Sequence, residues 1–178
     1  MEVSLDTTLT TERLLLRPVG LSDVDLVWEA SRVDGFNDGM TWDPPASKEE
    51  IVEITHRNLA HWRQGKDYIF TVCLASGISI GRVGLHKEEV PDTWNIGFWI
   101  HPDHWGNGYA SEAARAVLKF GIDSLCAKRI LTAHATWNIR SQRVIEGLGF
   151  RYVQTNPAGF YKNGNAVEEY EYELNRVL

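Results

Sequence analysis

Cysteine is scarce in this chain: 178 residues hold two, Cys73 and Cys126. Neither belongs to a Cys-x-x-Cys pair, which excludes a disulfide framework and a thiolate zinc site by pattern. Two buried free thiols in a reducing compartment are the expectation. No apolar run approaches the roughly 20 residues of a membrane helix. The start of the chain lacks the basic-then-apolar order of a secretory signal, so a cytoplasmic protein with no membrane partner is expected. Basic charge is also in short supply, with 18 Lys and Arg against 24 Asp and Glu and a net charge of −6. That balance argues against a nucleic-acid surface and, as a steering preference, suits a cationic or amine-bearing ligand.

What remains is ordinary globular material, 43% hydrophobic and 24% charged, long enough for one domain with a full core and too short for two. Thr10–Pro18 reads as a first strand closed by proline. Ser22 is placed to cap a helix, with Asp25 three residues on and Leu21 stapled against Leu26. Residues 34–45, rich in Gly, Asn, Asp and Pro, form a loop. Its Met40, Trp42 and Pro44-Pro45 either cover a core edge or line a cleft. Ser47 and Glu50 make a second capping box, opening a helix striped by Ile51, Ile54, Leu59 and Trp62 and ended by Gly65. Strands follow at Tyr68–Leu74, Ile78–His86 and Thr93–Ile100, with turns at Gly77 and Pro91-Asp92.

The next helix begins near Tyr109, because Ala110, Ala113, Ala114, Val117, Leu118 and Gly121 recur at helical spacing. Arg129–Thr136 is a strand, Asn138 caps a helix from Ile139 to about Leu148, and Phe150–Thr155 and Glu168–Leu174 are the last strands. The order predicts one α/β domain over residues 1–178, its core spanning about 10–175. Its mixed sheet has about seven strands and about four flanking helices. The strands at Thr93–Ile100 and Arg129–Thr136, joined by a helical crossover, should be parallel.

The most informative segment is His104-Trp105-Gly106-Asn107-Gly108-Tyr109-Ala110, between a strand and a helix. Glycines let the backbone approach a ligand, and the first amides of a helix lack intrahelical acceptors. A strand, a glycine turn and a helix N-terminus together form an anion seat. No lysine or arginine lies in this loop, so any grip on phosphate is made by the backbone. A P-loop would need a Lys after the glycines. A dinucleotide fingerprint would need a third glycine where Ser111 stands and an acidic residue where Lys128-Arg129 lie. A turn that merely holds glycines is the remaining alternative from these residues alone.

A resemblance covering about 140 residues separates these readings. Trp105-Gly106-Asn107-Gly108-Tyr109-Ala110 is similar to the Gln/Arg-x-x-Gly-x-Gly/Ala signature of the GNAT superfamily of acyl-CoA N-acyltransferases, with Trp105 in place of Gln or Arg. Ser111-Glu112-Ala113 extends that likeness. Asn138-x-x-Ser141-x-x-Val144-Ile145-Glu146-x-x-Gly149-Phe150 resembles the family's second cofactor motif. Thr11-Glu12-Arg13-Leu14-x-Leu16-Arg17-Pro18 resembles the branch with ribosomal-protein N-terminal acetyltransferases of the RimJ/RimL type.

The resemblance implies a GNAT-like fold whose central parallel strands splay at their C-terminal ends. It further implies acetyl-CoA in that gap, its pantetheine arm along Phe98, Trp99 and Ile100 and its pyrophosphate on the amides of Trp105, Gly106, Asn107, Gly108, Tyr109 and Ala110. Asn138 would contact the arm. Arg140 and Arg143 are either solvated or within reach of the adenosine 3′-phosphate.

The implied chemistry is acetyl transfer to a primary amine, on a small molecule or a protein N-terminus. Family members often carry a tyrosine acid seven residues after the asparagine; that position is Ile145 here. Ser141 is the branch's alternative, stabilising the leaving thiolate from the first turn of its helix. The Glu-Ile-Gly of many relatives reads Asn95-Ile96-Gly97, and asparagine is no base. His86, Glu88, Glu89, His134 or a water chain are the remaining candidates. His101, Asp103 and His104 lack metal-ligand spacing with any other group, so no metal is expected. The missing acid and base also motivate a second reading, a non-catalytic acyl-CoA-binding or interaction protein of the same fold. Oligomeric state, monomer or homodimer, is left open.

Overall fold

The computed structural model describes residues 3–175. In chain order the elements are β1 (Leu9–Thr10), β2 (Leu14–Pro18), α1 (Val24–Ala30), α2 (Lys48–Arg63), β3 (Asp67–Leu74), β4 (Ser79–Lys87), β5 (Thr93–Ile100), α3 (Tyr109–Ser124), β6 (Arg129–Ala135), α4 (Ile139–Gly147), β7 (Arg151–Lys162) and β8 (Asn165–Asn175). All eight strands join one mixed sheet in the order β1-β2-β3-β4-β5-β6-β8-β7. Among the described residues only the β5–β6 pair is parallel. No helix among the described residues is long and apolar enough to cross a membrane.

The eighth strand arises because the expected first strand is two. Thr11 breaks it: its hydroxyl accepts from the Leu14 amide at 2.9 Å and its own amide donates to Leu14 O, folding Leu9–Thr10 back onto Leu15 and Leu16. Helix α1 also starts later than its expected Ser22 cap. Asp23 is drawn instead into a buried network, accepting from Gly20 N (2.9 Å), Thr71 Oγ1 (2.6 Å) and Arg17 (2.6 Å), and a 3₁₀ turn at Leu21–Asp23 precedes the helix. Burial works against the Asp23 carboxylate, but these hydrogen bonds outweigh it and hold its pKa below the ordinary range. The Ser47 cap forms as expected, Ser47 Oγ accepting from Glu50 N, while Glu50 turns back to the Ala46 amide.

Helix α3 packs its small face on the sheet with Ala113, Ala114, Val117 and Gly121 buried. A Cβ on Gly121 would come within 2.8 Å of Leu85 Cδ1, so glycine sets that close approach. Strand side chains alternate between faces. Val83, Leu85, Trp94, Ile96 and Ile130 belong to the core cluster with α3. Arg82, Gly84, His86, Asn95, Gly97 and Trp99 take the other face. The N-terminal part of α2 and loop 37–45 cover it. Cys73 is buried, but Cys126 is exposed, at a left-handed turn (φ 55°) after α3, contrary to the expectation of two buried thiols.

The final hairpin is longer than expected. β7 runs on to Lys162 and β8 begins at Asn165. Asn163 and Gly164 both have positive φ (50° and 78°), the Asn-Gly pair preferred in two-residue hairpin turns. That dipeptide was the available signal for the extension. Pro157 and Gly159 mask it, and the register slips around them between Asn156 and Phe160.

Candidate active site

Strands β5 and β6 pair over three residues, Thr93↔Arg129, Trp94↔Ile130 and Asn95↔Leu131, and then part. Thr132 Oγ1 donates to Ile96 O at 3.0 Å where the ladder ends. Beyond it β5 stays on β4 as far as Ile100, and β6 stays on β8 as far as Ala135. Each strand thus has one unpaired edge facing the gap. Ile96 O points into it, and by alternation so do both backbone groups of Phe98. Trp99 turns its backbone toward β4, opposite Arg82. Ile100 O is taken by the Trp105 indole at 2.7 Å. Of the three residues expected along the arm, Phe98 alone offers the gap a free pair of backbone groups.

The glycine turn lies at the end of this gap. Trp105 is the exception to the expected row of amides, because its N–H closes a 3₁₀ turn on Pro102 O at 3.1 Å. The amides of Gly106, Asn107, Gly108, Tyr109 and Ala110 donate to no acceptor among the described residues. Gly106 and Gly108 both sit at φ 79°, a conformation that L side chains rarely adopt, and a Cβ on Gly106 would meet nothing within 4 Å. Five free donors therefore lie at and just before the positive end of a 16-residue helix.

Two braces hold the turn. Arg13 Nη1 donates to Asn107 O at 3.0 Å. The Glu112 carboxylate accepts from Thr11 Oγ1 (2.6 Å), Arg13 N (3.0 Å) and Arg13 Nε (2.7 Å). The N-terminal motif and the glycine motif are thus one unit in space. On the other side Arg140 stacks over the Trp105 ring at 4.3 Å, tying α4 to the turn. Asn138 Oδ1 accepts from Ser141 N at 3.2 Å, which sets Ser141 in the first turn of α4. Ile145 is 1% exposed and belongs to the core, so no proton donor stands there.

A cavity of about 630 Å³ opens on the opposite face of the sheet and reaches through the splay to Asn138 and Ser141. Met40 and Trp42 line it, which decides between the two roles open to that loop. Lys162 pins the loop by donating to Met40 O (3.2 Å) and Trp42 O (2.6 Å) and pairing with Asp43 at 3.0 Å. Phe36 wedges between Trp42 and Trp99, its ring 5.4 Å from Trp99.

The four titratable candidates separate here. Glu88 and Glu89 lie in the β4–β5 turn and do not line the cavity. His134 is 3% exposed with both ring nitrogens engaged, Nδ1 with Ala135 O (2.8 Å) and Nε2 with Tyr172 OH (3.2 Å). His86 lines the cavity with Nδ1 3.0 Å from Asp67, and its Nε2 is 4.0 Å from where a Cβ of Gly97 would be. Asp67 also holds His61 at 2.6 Å. Burial would raise the Asp67 pKa, yet the hydrogen bonds from His86 and His61 prevail and keep it below the ordinary range. In the neutral imidazole, Nδ1–H donation to that carboxylate leaves Nε2 as an acceptor.

Two groups missed by sequence reasoning also face this cavity, Arg82 and Glu169. Burial pushes the Arg82 guanidinium down to about 10, against the pull of Asp23. Burial, helped by Glu171, pushes the Glu169 carboxyl up. A Cβ on Gly159 would run into the Glu169 carboxylate, so that glycine makes room for it. Neither residue carries a motif; β4 and β8 bring them to one face only when the sheet forms. His101, Asp103 and His104 stay local, His101 Nδ1 accepting from the Asp103 amide. Among the described residues no group of three His, Cys, Asp or Glu is arranged to hold a metal.

Known proteins share this architecture. Residues 13–151 match the acetyltransferase (GNAT) domain family. The N-acetyltransferase YnaD of Bacillus subtilis is 27% identical over 156 residues, spanning 86% of this chain and 85% of that protein. A GNAT-family acetyltransferase structure from Bacillus anthracis superposes with a TM-score of 0.83 at 26% identity, covering 95% of this chain and 98% of that one. RimL, a ribosomal L7/L12 α-N-protein acetyltransferase solved with coenzyme A, shares the fold with a TM-score of 0.86 at 18% identity, covering 95% and 98%. A splayed parallel pair ending at a braced turn of free amides, with a family match over most of the chain, leads to one conclusion: this chain belongs to the GNAT acetyltransferase family and is an N-acetyltransferase.

Proposed function

We propose that the protein transfers an acetyl group from acetyl-CoA to a primary amine by direct attack of the amine on the thioester. The observation that carries this reading is the gap beyond Asn95↔Leu131, open on the Phe98 edge and leading to five unengaged amides. Those residues fit the coenzyme: Gly106 to Ala110 would hold the pyrophosphate, Phe98 the pantetheine arm, and Asn138 Nδ2 remains free to contact it because Oδ1 caps α4. Acetyl-CoA would supply an activated carbonyl carbon; the C–N bond forms, the C–S bond breaks, and the proton shed by the newly acylated nitrogen leaves with the sulfur as a thiol.

The rest is the chain's work. The Phe98 N–H, on the unpaired edge of β5, is a donor for the carbonyl oxygen. His86 Nε2, oriented by Asp67, accepts the proton of the incoming ammonium, directly or through one water. Ser141 Oγ, in the first turn of α4 and lining the cavity, donates a hydrogen bond toward the sulfur. Loop 37–45, held by Lys162, roofs the acceptor side.

The test pairs binding with turnover. Gly108→Asp forces a side chain onto a backbone at φ 79°, its Cβ 3.6 Å from Arg13 Nη2, and so disturbs the amide cradle and its Arg13 brace. CoA should raise the melting temperature of the natural protein and not of this variant, with the fold retained by circular dichroism. Thiol release from acetyl-CoA with a panel of primary amines separates a transferase from a protein that only binds the coenzyme. CoA stabilising both forms equally would remove the turn from the site.

A further inference from the structure

We propose that the acceptor is a small amine that also carries an anionic group, such as a carboxylate or phosphonate, and that Arg82 recognises that group. The inference rests on the N-acetyltransferase reading of this cavity and names its substrate class.

Arg82 is 8% exposed and lines the cavity, and its Nε and Nη2, closed off from solvent, have no hydrogen-bond partner among the described residues. The neighbouring carboxylate, Asp23, is already committed to Arg17 (2.6 and 3.0 Å), Thr71 (2.6 Å) and Gly20 N (2.9 Å). Two guanidinium groups around one carboxylate leave one positive charge uncompensated beneath α1. A buried cation without a partner is unfavourable, and a planar guanidinium with open donors is the group best suited to a carboxylate or phosphonate. The other cation lining the cavity, Arg57, is exposed to solvent.

Sheet geometry sets the spacing. Gly84 pairs with Gly97, over which His86 Nε2 lies, and Arg82 is two residues from Gly84 on the same face. At about 3.3 Å per residue that is roughly 7 Å along β4. An amine over Gly97 and an anionic group reaching Arg82 along this wall can then belong to one small molecule. Glu169, paired with Ala135 on the far side of the splay, faces the same cavity, and its carboxylate has no hydrogen-bond partner among the described residues. Cation on the β4 wall and carboxylate on the β8 wall produce a field that draws an ammonium away from Arg82 and an anion toward it. The remaining acidic groups at the rim are occupied, Asp43 by Lys162 and Glu50 by the Ala46 amide.

The experiment measures thiol release from acetyl-CoA with matched amines: β-alanine against propylamine, and 2-aminoethylphosphonate against ethanolamine. The natural protein should favour the anionic member of each pair at least ~10-fold in kcat/KM, the discrimination open to a site with an unpaired polar group. Arg82→Met should erase that preference mainly through KM and leave the CoA-induced melting shift intact. It should not lower the melting temperature of the free protein, because it removes an unpaired buried charge. Arg82→Lys should restore part of the preference. Equal or better use of the neutral amines or of a peptide N-terminus overturns the proposal. So does acceptance of no anionic amine, an unchanged preference in Arg82→Met, or a lowered melting temperature in that variant. A natural protein that CoA does not stabilise would instead sink the transferase reading itself.

Discussion

Glu112 joins the N-terminal motif to the glycine turn, and Glu112→Gln tests that link. The carboxylate accepts from the Thr11 hydroxyl, the Arg13 amide and Arg13 Nε, and lies 2.6 Å from Arg13 Nη2. Glutamine keeps one acceptor for Thr11 and the Arg13 amide but turns an NH₂ toward the guanidinium. A hydrogen bond to a charged group is worth roughly 1.5–3 kcal/mol. Arg13 is 46% exposed, and solvent screening pulls the ion-pair share toward about 1 kcal/mol. The net loss is about 1–2 kcal/mol, which for a chain of this size lowers Tm by roughly 3–6 °C. Because Arg13 also holds Asn107 O, the loss passes to the cradle. If the whole of it is felt on binding, the Kd for CoA rises about 5–30-fold at 1.4 kcal/mol per decade.

The pH dependence gives a second readout. Burial disfavours the Glu112 charge, but the hydrogen bonds from Thr11 and Arg13 hold its pKa below the ordinary glutamate value. A depressed folded pKa means the stabilisation is complete above the unfolded value, about 4.3, and fades as pH falls through the folded one. The melting gap between natural protein and variant should therefore close below about pH 4. Melting curves across pH and calorimetric CoA titration suffice. A lowered Tm with an unchanged Kd would refute the claim that this brace shapes the coenzyme seat.

Three further outcomes are expected. Ser141→Ala should cut turnover at least ~10-fold, about 1.4 kcal/mol of transition-state stabilisation, with CoA affinity little changed; equal rates would remove the hydroxyl from the mechanism. Asp67→Asn takes away the carboxylate that orients His86 and should lower kcat/KM at least ~10-fold with a displaced pH profile, read by thiol release across pH 5–9. An unaltered profile would point away from His86. Lys162→Met removes the ties to Met40 O, Trp42 O and Asp43 and should speed amide hydrogen exchange in residues 37–45 while the β4–β5 ladder stays protected. Unchanged loop exchange would mean that the Phe36–Trp42–Trp99 packing alone holds the loop.

Local chemistry made much of the protein legible from its residues. The period of Ala110 to Gly121 specified α3, Ser47 and Asn138 specified the starts of α2 and α4, and the crossover implied a parallel β5–β6 pair, because helical spacing and capping act over a few residues. The glycine turn was equally readable, since positive φ and bare amides are backbone properties. Misreadings arose where a side chain answers to distant partners. The helix expected from Ser22 starts later because Asp23 binds Arg17 and Thr71, the Trp105 amide closes a turn, and His134 is locked by Tyr172. Which histidine has a carboxylate behind it, which arginine and glutamate line one cavity, and how Thr11 and Arg13 reach Glu112 were decided by sheet register. Pairing β4 with β5 and β6 with β8 sets residues from distant parts of the chain on one face, and no window of sequence contains that adjacency.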